Sequence, residues 1–342
     1  MHKFLLAVSI FSLFFYSCKT DFDITSDWED ISIIYGLLDP SDTAQYIKIN
    51  KAFLDKTTSA LVIAKIPDSL YYKNINVQLQ QYLADNFIKT IQMEQIDGNL
   101  EGFVKDTGIF ANAPNFLYKT KEVLDQNSSY QLLITESENG KQVNASTEII
   151  NDFNVQRPTG FTKVNFFPGG TYKTQWSSAK DGKLYALTIR FYYKEVNFVD
   201  TTLFQEKYLD WPIFSSLRSV STVGGQTMES DIAGDAFYSY LNSQLTEDPS
   251  VFRISQYFNF MFSVGGEELD IYNQVTLAQQ GITSGSVQPE YTNIENGLGL
   301  FSSRFHKTVF NVPIDVHTID TLACGQVTSH LRFMNSVGDL CF

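Results

Sequence analysis

The sequence predicts a mainly β protein with two successive sandwich-like domains. Of its 342 residues, 43% are apolar and 14% are aromatic, whereas only 18% are charged. Soluble domains carry about 25% charged residues, so this chain has an unusually large apolar content to bury. Apolar and polar residues alternate along many short stretches, which is the pattern of half-buried strands. Such a chain can form a packed core, and disorder is therefore excluded.

The first residues have the pattern of an exported lipoprotein. Residues 1–3 are basic, residues 4–16 are almost entirely apolar, and the small Ser17 directly precedes Cys18. A membrane-spanning helix needs about 20 apolar residues, so the shorter run predicts a cleaved signal peptide at residues 1–17. A cysteine at the cleavage position resembles a bacterial lipoprotein signal, in which Cys18 is acylated and becomes the new N-terminus. The alternative is an ordinary secretory signal with an incidental cysteine.

A polar tether and an N-terminal domain are predicted next. Residues 18–28 are polar and form the tether, and residues 29–151 form a β-sandwich of the immunoglobulin or transthyretin type. The first strand, residues 31–38, ends at the turn of residues 39–42, which contains proline and aspartate. Residues 46–53 then alternate between apolar and polar side chains, as expected of a strand with one buried face.

The remainder of the N-terminal domain repeats this alternation. Two further strands are predicted near residues 75–79 and 87–93. A hairpin then joins residues 130–134 to residues 143–149 through Asn139-Gly140, and Asn-Gly between alternating runs is a strong hairpin signal.

A second domain is predicted at residues 152–342. Residues 151–161 contain proline and glycine between two patterned regions and indicate the boundary. Residues 184–196 and 252–264 are long alternating runs, so this domain is also β-rich and sandwich-like.

One helix is predicted within the second domain, near residues 230–246. Apolar residues recur there at helical spacing, Ser230 is a suitable N-cap, and Asp231 suits the first turn. Asp248-Pro249 would end the helix.

The cysteines fit an oxidising compartment. If Cys18 is acylated, Cys324 and Cys341 remain, and an even number of cysteines in an exported chain indicates a disulfide. Closing a loop of this length stabilises a protein by about 3 kcal/mol. Two unpaired thiols are the alternative.

The sequence contains no catalytic signature. It has no glycine-rich phosphate loop, no zinc-protease motif and no hydrolase serine motif, so we predict no enzyme and no cofactor. His306, His317 and His330 have separations that match no metal-ligand spacing, and we predict no metal site.

One group of carboxylates leaves an enzymatic alternative open. Glu267, Glu268 and Asp270 could supply a pair of carboxylates for glycoside hydrolysis. The preceding glycines, Gly265 and Gly266, favour a simpler interpretation, in which the glycines form the turn of a hairpin and the carboxylates are exposed to solvent at its tip.

Charge and aromatic residues indicate which partners the protein has. A formal charge of −13 excludes nucleic acid, which requires a basic face. Trp211 precedes Pro212, where rings are often exposed, and it is a candidate contact to a ligand or partner. Most rings in a β protein fill its core, however, and Trp176 in its alternating run is interpreted as a core residue.

The glycines of residues 296–299 have two interpretations. They form either a tight turn before the strand at residues 300–303 or a point at which the backbone approaches a ligand or partner closely.

Three parts of the chain resemble Bacteroidetes outer-membrane lipoproteins of the type with domain of unknown function 4249. They are the lipoprotein-like start, residues 34–39 with residues 47–49, and residues 293–303. The resemblance implies no catalytic residues. Members of such families often occur beside TonB-dependent outer-membrane transporters, which implies a role in nutrient uptake or at the cell surface. Acidic residues just after the cysteine, here Asp21 and Asp23, resemble a signal for export to the outer leaflet.

Together these features predict a lipid-anchored outer-membrane protein that faces the cell exterior. Its expected role is non-catalytic, as a ligand-binding protein or as an accessory protein of a TonB-dependent transporter. A structural or adhesive surface protein is the alternative, and a glycan-acting enzyme is a more distant one.

Overall fold

A computed structural model describes residues 31–52, 59–138, 140–279 and 291–341. The signal peptide, Cys18 and the tether lie outside these residues and stay predictions. Strands account for 47% of the structure and helices for 16%, which confirms the mainly β class. The strands are β1 Ser32–Leu38, β2 Gln45–Lys51, β3 Ile75–Leu83, β4 Asn86–Gln92, β5 Glu94–Asp97, β6 Phe116–Thr120, β7 Ser129–Glu136, β8 Gln142–Glu148, β9 Val155–Arg157, β10 Thr171–Ser177, β11 Leu184–Asn197, β12 Phe204–Arg218, β13 Thr227–Ala233, β14 Val251–Gly265 and β15 Gly297–Pro313. The helices are α1 Ala60–Ile63, α2 Pro67–Leu70, α3 Gly234–Gln244, α4 Glu267–Gln279 and α5 Val316–Cys324.

The described strands form three sheets. The largest has eight strands in the order β12-β11-β14-β15-β1-β2-β6-β5, and the others have the orders β4-β3-β7-β8 and β13-β10-β9. Within the eight-stranded sheet, β1 and β15 run parallel, in register from Ser32 with Gly297 to Leu38 with Ser303.

The first hydrophobic core lies between half of the large sheet and the four-stranded sheet. Ile34 and Ile47 of the large sheet pack in one cluster with Val77, Leu132 and Val143 of the smaller one. Because side chains alternate along each strand, these residues all point between the two sheets. This part of the chain is therefore a β-sandwich.

The second core lies between the other half of the large sheet and a layer formed by β13-β10-β9, α3 and α5. It is mostly aromatic. The rings of Phe166, Phe237 and Phe258 lie with their centroids within 5.5 Å of one another, and Trp176 contacts Phe262 at 5.3 Å. The sandwich arrangement thus continues, with helices completing the second layer.

Strand β15 belongs to both cores. Its first half pairs with β1 and its second half, from Arg304 onward, pairs with β14. Accordingly, Phe301 lies in the first core and Phe305 in the second. One strand thus runs continuously from the first sandwich into the second.

Helix α3 is present as the sequence predicts, but it begins later than expected. Ser230 and Asp231 lie in β13, opposite Thr174 and Lys173 of β10. Residues 227–233 alternate between buried and exposed positions, and pairing with β10 uses their backbone groups. The helix therefore starts at Gly234, where this pairing ends, and Ser230 does not cap it.

Candidate functional site

The outer face of β1 and β2 is the surface opposite the first core. Ile33, Tyr35 and Leu37 of β1 alternate with buried residues and point to this face, as do Tyr46 and Lys48 of β2. Sheets of this kind commonly leave one face in water with polar side chains. Here aromatic and apolar residues share the face with lysine, and two adjoining cavities lie over it.

The larger cavity, which we call the ring cavity, has a volume of about 630 Å³. Four elements each contribute one aromatic ring: Tyr35 from β1, Tyr46 from β2, Phe103 from the loop after β5, and Tyr272 from α4. Tyr35 and Phe103 are 44% and 45% exposed, so their rings face the water in the cavity. Half-exposed rings around a concave space are typical of a ligand site.

Two ring pairs line this cavity. The Tyr35 and Tyr272 rings meet edge to face, with centroids 6.3 Å apart and an interplanar angle of 79°. The Tyr46 and Phe103 rings are tilted by 56° with centroids 4.6 Å apart. Such contacts fix ring orientation, so the cavity walls are preformed.

Arg304 is the cationic group of the ring cavity. Its Nη2 donates to Asp42 Oδ2 at 2.9 Å, and its Nε lies 3.3 Å from Asp39 Oδ2. Asp39 is fully buried and also contacts His306, with Oδ2 and Nδ1 2.6 Å apart. The turn after β1 is thereby attached to the second half of β15, and the guanidinium has a fixed position at the cavity edge.

The charge of Asp39 is stabilised by its neighbours. Burial alone raises the pKa of this carboxyl, but hydrogen bonds from His306 and Ser41 outweigh burial and hold the pKa below its usual value. Asp39 therefore stays ionised at neutral pH. Among the described residues, no hydroxyl or thiol bonds the other ring nitrogen of His306, so the Asp39–His306 pair activates no nucleophile there.

The smaller cavity, which we call the lysine cavity, has a volume of about 370 Å³. Three lysines, Lys48, Lys51 and Lys105, line it together with apolar side chains such as Leu70 and Phe110. Lys51 is engaged by the Tyr72 ring, with its ammonium 5.9 Å from the ring centre. Lys48 lies directly opposite Tyr35 in the β1–β2 register, so this cavity adjoins the ring cavity.

The loop after β5 closes both cavities on one side and is held by its own hydrogen bonds. Asp97 Oδ1 accepts from the backbone N–H groups of Asn99 and Asn115, both at 3.0 Å. Asn115 Nδ2 donates to the Phe103 carbonyl at 2.8 Å, which positions the Phe103 ring beside Tyr46. This loop is exposed, yet it has a defined conformation.

Trp211 is not exposed, which corrects the expectation from the sequence. Its side chain is 8% exposed and packs against Phe166, Phe237 and Tyr240. The following Pro212 lies within β12, where the alternation of side chains points Trp211 inward. Trp211 is therefore a core residue without a free face for a ligand. Trp176 lies in the same core, as its pattern predicts.

The carboxylates at residues 267–270 begin a helix and do not form a hairpin tip. Strand β15 starts only at Gly297, so no tight turn joins it to β14. Arg218 Nε donates to the buried Asp270 at 2.7 Å, and Ser302 Oγ donates to Glu268 at 3.4 Å. Burial raises the pKa of Glu268. Asp270 is thus held in an ion pair with Arg218 within the fold.

The remaining candidate residues lie apart from the cavities. Cys324 ends α5 and is joined to Cys341 in a disulfide, with Cα atoms 5.0 Å apart. His317 lies in α5 and His330 in the 3₁₀ turn that follows. Within the described parts of the chain, no cluster of three His, Cys, Asp or Glu side chains could hold a metal ion. Cys18 lies outside these parts.

The ring cavity is not predictable from the sequence as a whole site, although the sequence contains signals for parts of it. β1 and β2 were predicted correctly, and Tyr35 and Tyr46 lie at the positions of these strands that point away from the core. An aromatic ring at such a position is in contact with solvent. No local pattern in the sequence associates these two tyrosines with the other cavity residues, Phe103, Tyr272 and Arg304. Tyr272 lies in α4 and Arg304 in β15, and the positions of both elements depend on distant parts of the chain.

Comparisons with known proteins identify no relative. The chain matches no protein-family model, and no curated protein is significantly similar to it in sequence. In the portion that the structure describes, no helix has the length and apolar character needed to cross a bilayer.

Proposed function

We propose that the protein is a lipid-anchored outer-membrane lipoprotein, exposed at the cell surface, that binds a ligand in the ring cavity without transforming it. The ring cavity carries this proposal. Its volume lies within the roughly 300–1,000 Å³ of small-molecule sites, and its apolar walls surround one fixed cation, Arg304. The signal-like start and Cys18 support the location.

The anchor is tested by metabolic labelling with radioactive palmitate. The wild-type protein should incorporate label and fractionate with outer membranes. The Cys18→Ala variant should incorporate none and appear in the soluble fraction, whereas a Cys18→Ala variant that remains in membranes would contradict the anchor.

Ligand binding is tested by thermal-shift screening of a metabolite library on the detergent-solubilised protein. A ligand of the ring cavity should raise the melting temperature of the wild type but not of Phe103→Ala. Phe87→Ala is the matched control, because Phe87 is 55% exposed on β4, in the other sheet of the sandwich. Equal loss of the shift in both variants would argue against this site.

A second role, as an accessory protein of an outer-membrane transporter, is supported by one exposed surface. We call it the apolar patch and define it by Leu61, Val62, Ile66, Leu100, Val104 and Ile109, which are 48–86% exposed. The two segments that carry it are joined by a hydrogen bond from the Ala111 N–H to the Ala64 carbonyl at 2.8 Å. Exposed apolar surface of this kind commonly marks a protein interface.

The start of the described chain lies beside this patch. The Ile31 carbonyl accepts from the Ala52 N–H, and Ile33 lines the lysine cavity together with Phe110. If Cys18 is lipidated, the chain from Cys18 to Ile31 spans about 47 Å at most. The patch would then remain close to the membrane, where a membrane-embedded transporter is its proposed partner.

Co-purification after mild detergent extraction tests this role. The wild type should bring a transporter with it, and the double variant Leu100→Ser/Val104→Ser should not. The control Val199→Ser/Val220→Ser changes apolar residues that are just as exposed but lie in the second sandwich. Recovery of the wild type as a lone monomer would contradict the proposal.

A further inference from the structure

We propose that the lysine cavity binds a carboxylate or sulfate group of an acidic oligosaccharide whose neighbouring sugar rings occupy the ring cavity. This inference rests on the proposed function, because it names the chemical class of the ligand that the ring cavity binds. Three observations lead to it: two lysines of the lysine cavity, Lys48 and Lys105, form no ion pair with any described residue, the two cavities are adjacent, and their walls have a suitable composition.

Lys48 and Lys105 approach each other without a carboxylate between them. None of the described residues that line the lysine cavity is acidic, and neither lysine forms an ion pair with any described residue. The Lys105 ammonium donates to the Ala111 carbonyl at 2.7 Å and lies 5.7 Å from the centre of the Phe110 ring. These contacts leave further N–H donors of Lys105 for a ligand.

Several other lysines of this acidic chain are neutralised by carboxylates. Lys89 pairs with Glu122 at 2.6 Å, Lys173 with Glu229 at 2.9 Å, and Lys119 with Glu101. The chain has 38 acidic residues and 25 Lys and Arg residues, so carboxylates are abundant. Lys48 and Lys105 are two half-buried lysines that share one cavity without such a partner, and an anion bound between them would relieve their repulsion.

The titration of Lys105 agrees with this geometry. Burial and the nearby charge of Lys48 lower the pKa of the Lys105 ammonium. A bound anion acts in the opposite direction, since an opposite charge at short range favours the protonated form.

The two cavities lie next to each other along β1 and β2. Tyr35 lines the ring cavity, Lys48 lines the lysine cavity, and the two residues are direct cross-strand neighbours. Side chains at such positions have Cβ atoms about 5 Å apart. A ligand longer than one sugar ring therefore reaches from the ring cavity to the ammonium groups.

The composition of the walls favours a saccharide over a purely apolar anion. The rings of Tyr35, Tyr46 and Tyr272 present apolar faces to the C–H faces of a sugar. Arg304 and Thr43 at the edge of the ring cavity and Asn50 in the lysine cavity are partners for hydroxyl groups. The ammonium groups are point charges that suit carboxylate or sulfate oxygens.

Isothermal titration calorimetry with matched probes tests the inference. The probes are tetragalacturonate, a sulfated heparin tetrasaccharide and, as the neutral counterpart, tetragalactose, each titrated into the detergent-solubilised full protein at low and high salt. At least one acidic probe should bind more tightly than the neutral one, and its affinity should fall with salt.

Substitutions assign the effect to the lysine cavity. Lys48→Gln and Lys105→Gln should each weaken binding of the acidic probe about tenfold and leave the neutral probe unchanged. Lys48→Arg keeps the charge and should retain most of the affinity. Lys89→Gln is the control, because Lys89 is an exposed lysine of the other sheet.

The outcomes separate this inference from the proposed function. Two results would overturn the anion site but leave ligand binding in the ring cavity intact. One is equal affinity of the wild type for the acidic and neutral probes. The other is binding of the acidic probe that is unchanged in both Lys48→Gln and Lys105→Gln. If the protein binds only ligands that are not saccharides, and Phe103→Ala abolishes that binding, the inference about an acidic oligosaccharide is overturned but the proposed function is not. If no ligand depends on Phe103 for its binding, both this inference and the proposed function are overturned.

Discussion

Asp39 connects the first sandwich to the second through one buried carboxylate. It is fully buried, yet its partners Arg304 and His306 are each more than 40% exposed. The remaining hydrogen-bonding capacity of Asp39 is used by the Ser41 N–H and hydroxyl. A buried charge with this number of partners is costly to remove, because each partner then loses a charged acceptor.

Replacing Asp39 by Asn should lower the free energy of unfolding by about 2–3 kcal/mol at pH 7, measured by urea denaturation. The folded-state pKa of Asp39 lies below its ordinary value, so its stabilisation is present above that ordinary value and is lost as pH falls below about 4. The difference between wild type and Asp39→Asn should therefore shrink at pH 3.

Asp42→Asn is the matched control for this prediction. Asp42 also bonds Arg304, but it is 43% exposed, so its loss should cost less than about 1 kcal/mol. Equal destabilisation by the two variants would show that burial of Asp39 is not the reason for its effect.

The sequence was informative about residues whose environment is local. The alternation around Ile47 and Ile49 predicts their burial, since a strand repeats every two residues. It failed for Trp211, where a neighbouring proline suggested exposure, because burial there depends on α3 and on Phe166. Asp39 and His306 are 267 positions apart, and no local pattern connects them.

Strand β15 contains the position with the strictest requirement for glycine. Gly299 has φ of +116°, and a Cβ atom there would lie 1.9 Å from the carbonyl oxygen of Ile34. The backbone is thus approached closely at Gly299, but by β1 of the same chain, whereas the sequence had suggested either a tight turn or an approach to a ligand or partner.

Gly299→Ala should destabilise the protein by about 3 kcal/mol or more, because it adds backbone strain to a collision within the parallel β1–β15 pair. Gly225→Ala is the control. Its φ is +77°, but no heavy atom lies within 4 Å of the added Cβ, so about 1 kcal/mol is expected. The stability of each variant is measured from its urea midpoint. Similar losses of stability in Gly299→Ala and Gly225→Ala would contradict the role of the close contact.

Element types were more predictable than element partners. The hairpin of β7 and β8 follows from short-range turn chemistry, and α3 follows from helical spacing. The first residue of α3 was not predictable from the sequence, because the pairing of β13 with β10 determines where the helix begins. The existence of α4 was not predictable either, because α4 lies in the long connection between β14 and β15. The cavities depend on that connection and were missed for the same reason.

At the scale of the whole molecule, β15 should couple the unfolding of the two cores. Ile134→Ala removes a 1%-exposed side chain from the first core, at a cost of about 3 kcal/mol. Trp176 and Trp211 both lie in the second core, so their fluorescence reports only that core. We expect the urea midpoint measured by fluorescence to fall together with the midpoint measured by circular dichroism.

Trp28 is replaced by phenylalanine in every protein of this experiment, so that only the two core tryptophans contribute. Val199→Ala is the control, since Val199 is 95% exposed and its truncation should leave the midpoint unchanged. An unchanged fluorescence midpoint in Ile134→Ala, with a two-step transition by circular dichroism, would mean that the cores unfold independently.

The parallel pairing of β1 with β15 also determines when the fold can be completed. β1, the first strand of the chain, lies in the middle of the large sheet and pairs with β15, which is near the other end of the chain, so the sheet cannot be completed until nearly all of the polypeptide is present. Pairings this distant along the chain form slowly. The first core, which needs Ile294 and Phe301, therefore cannot finish packing from the first half of the chain alone.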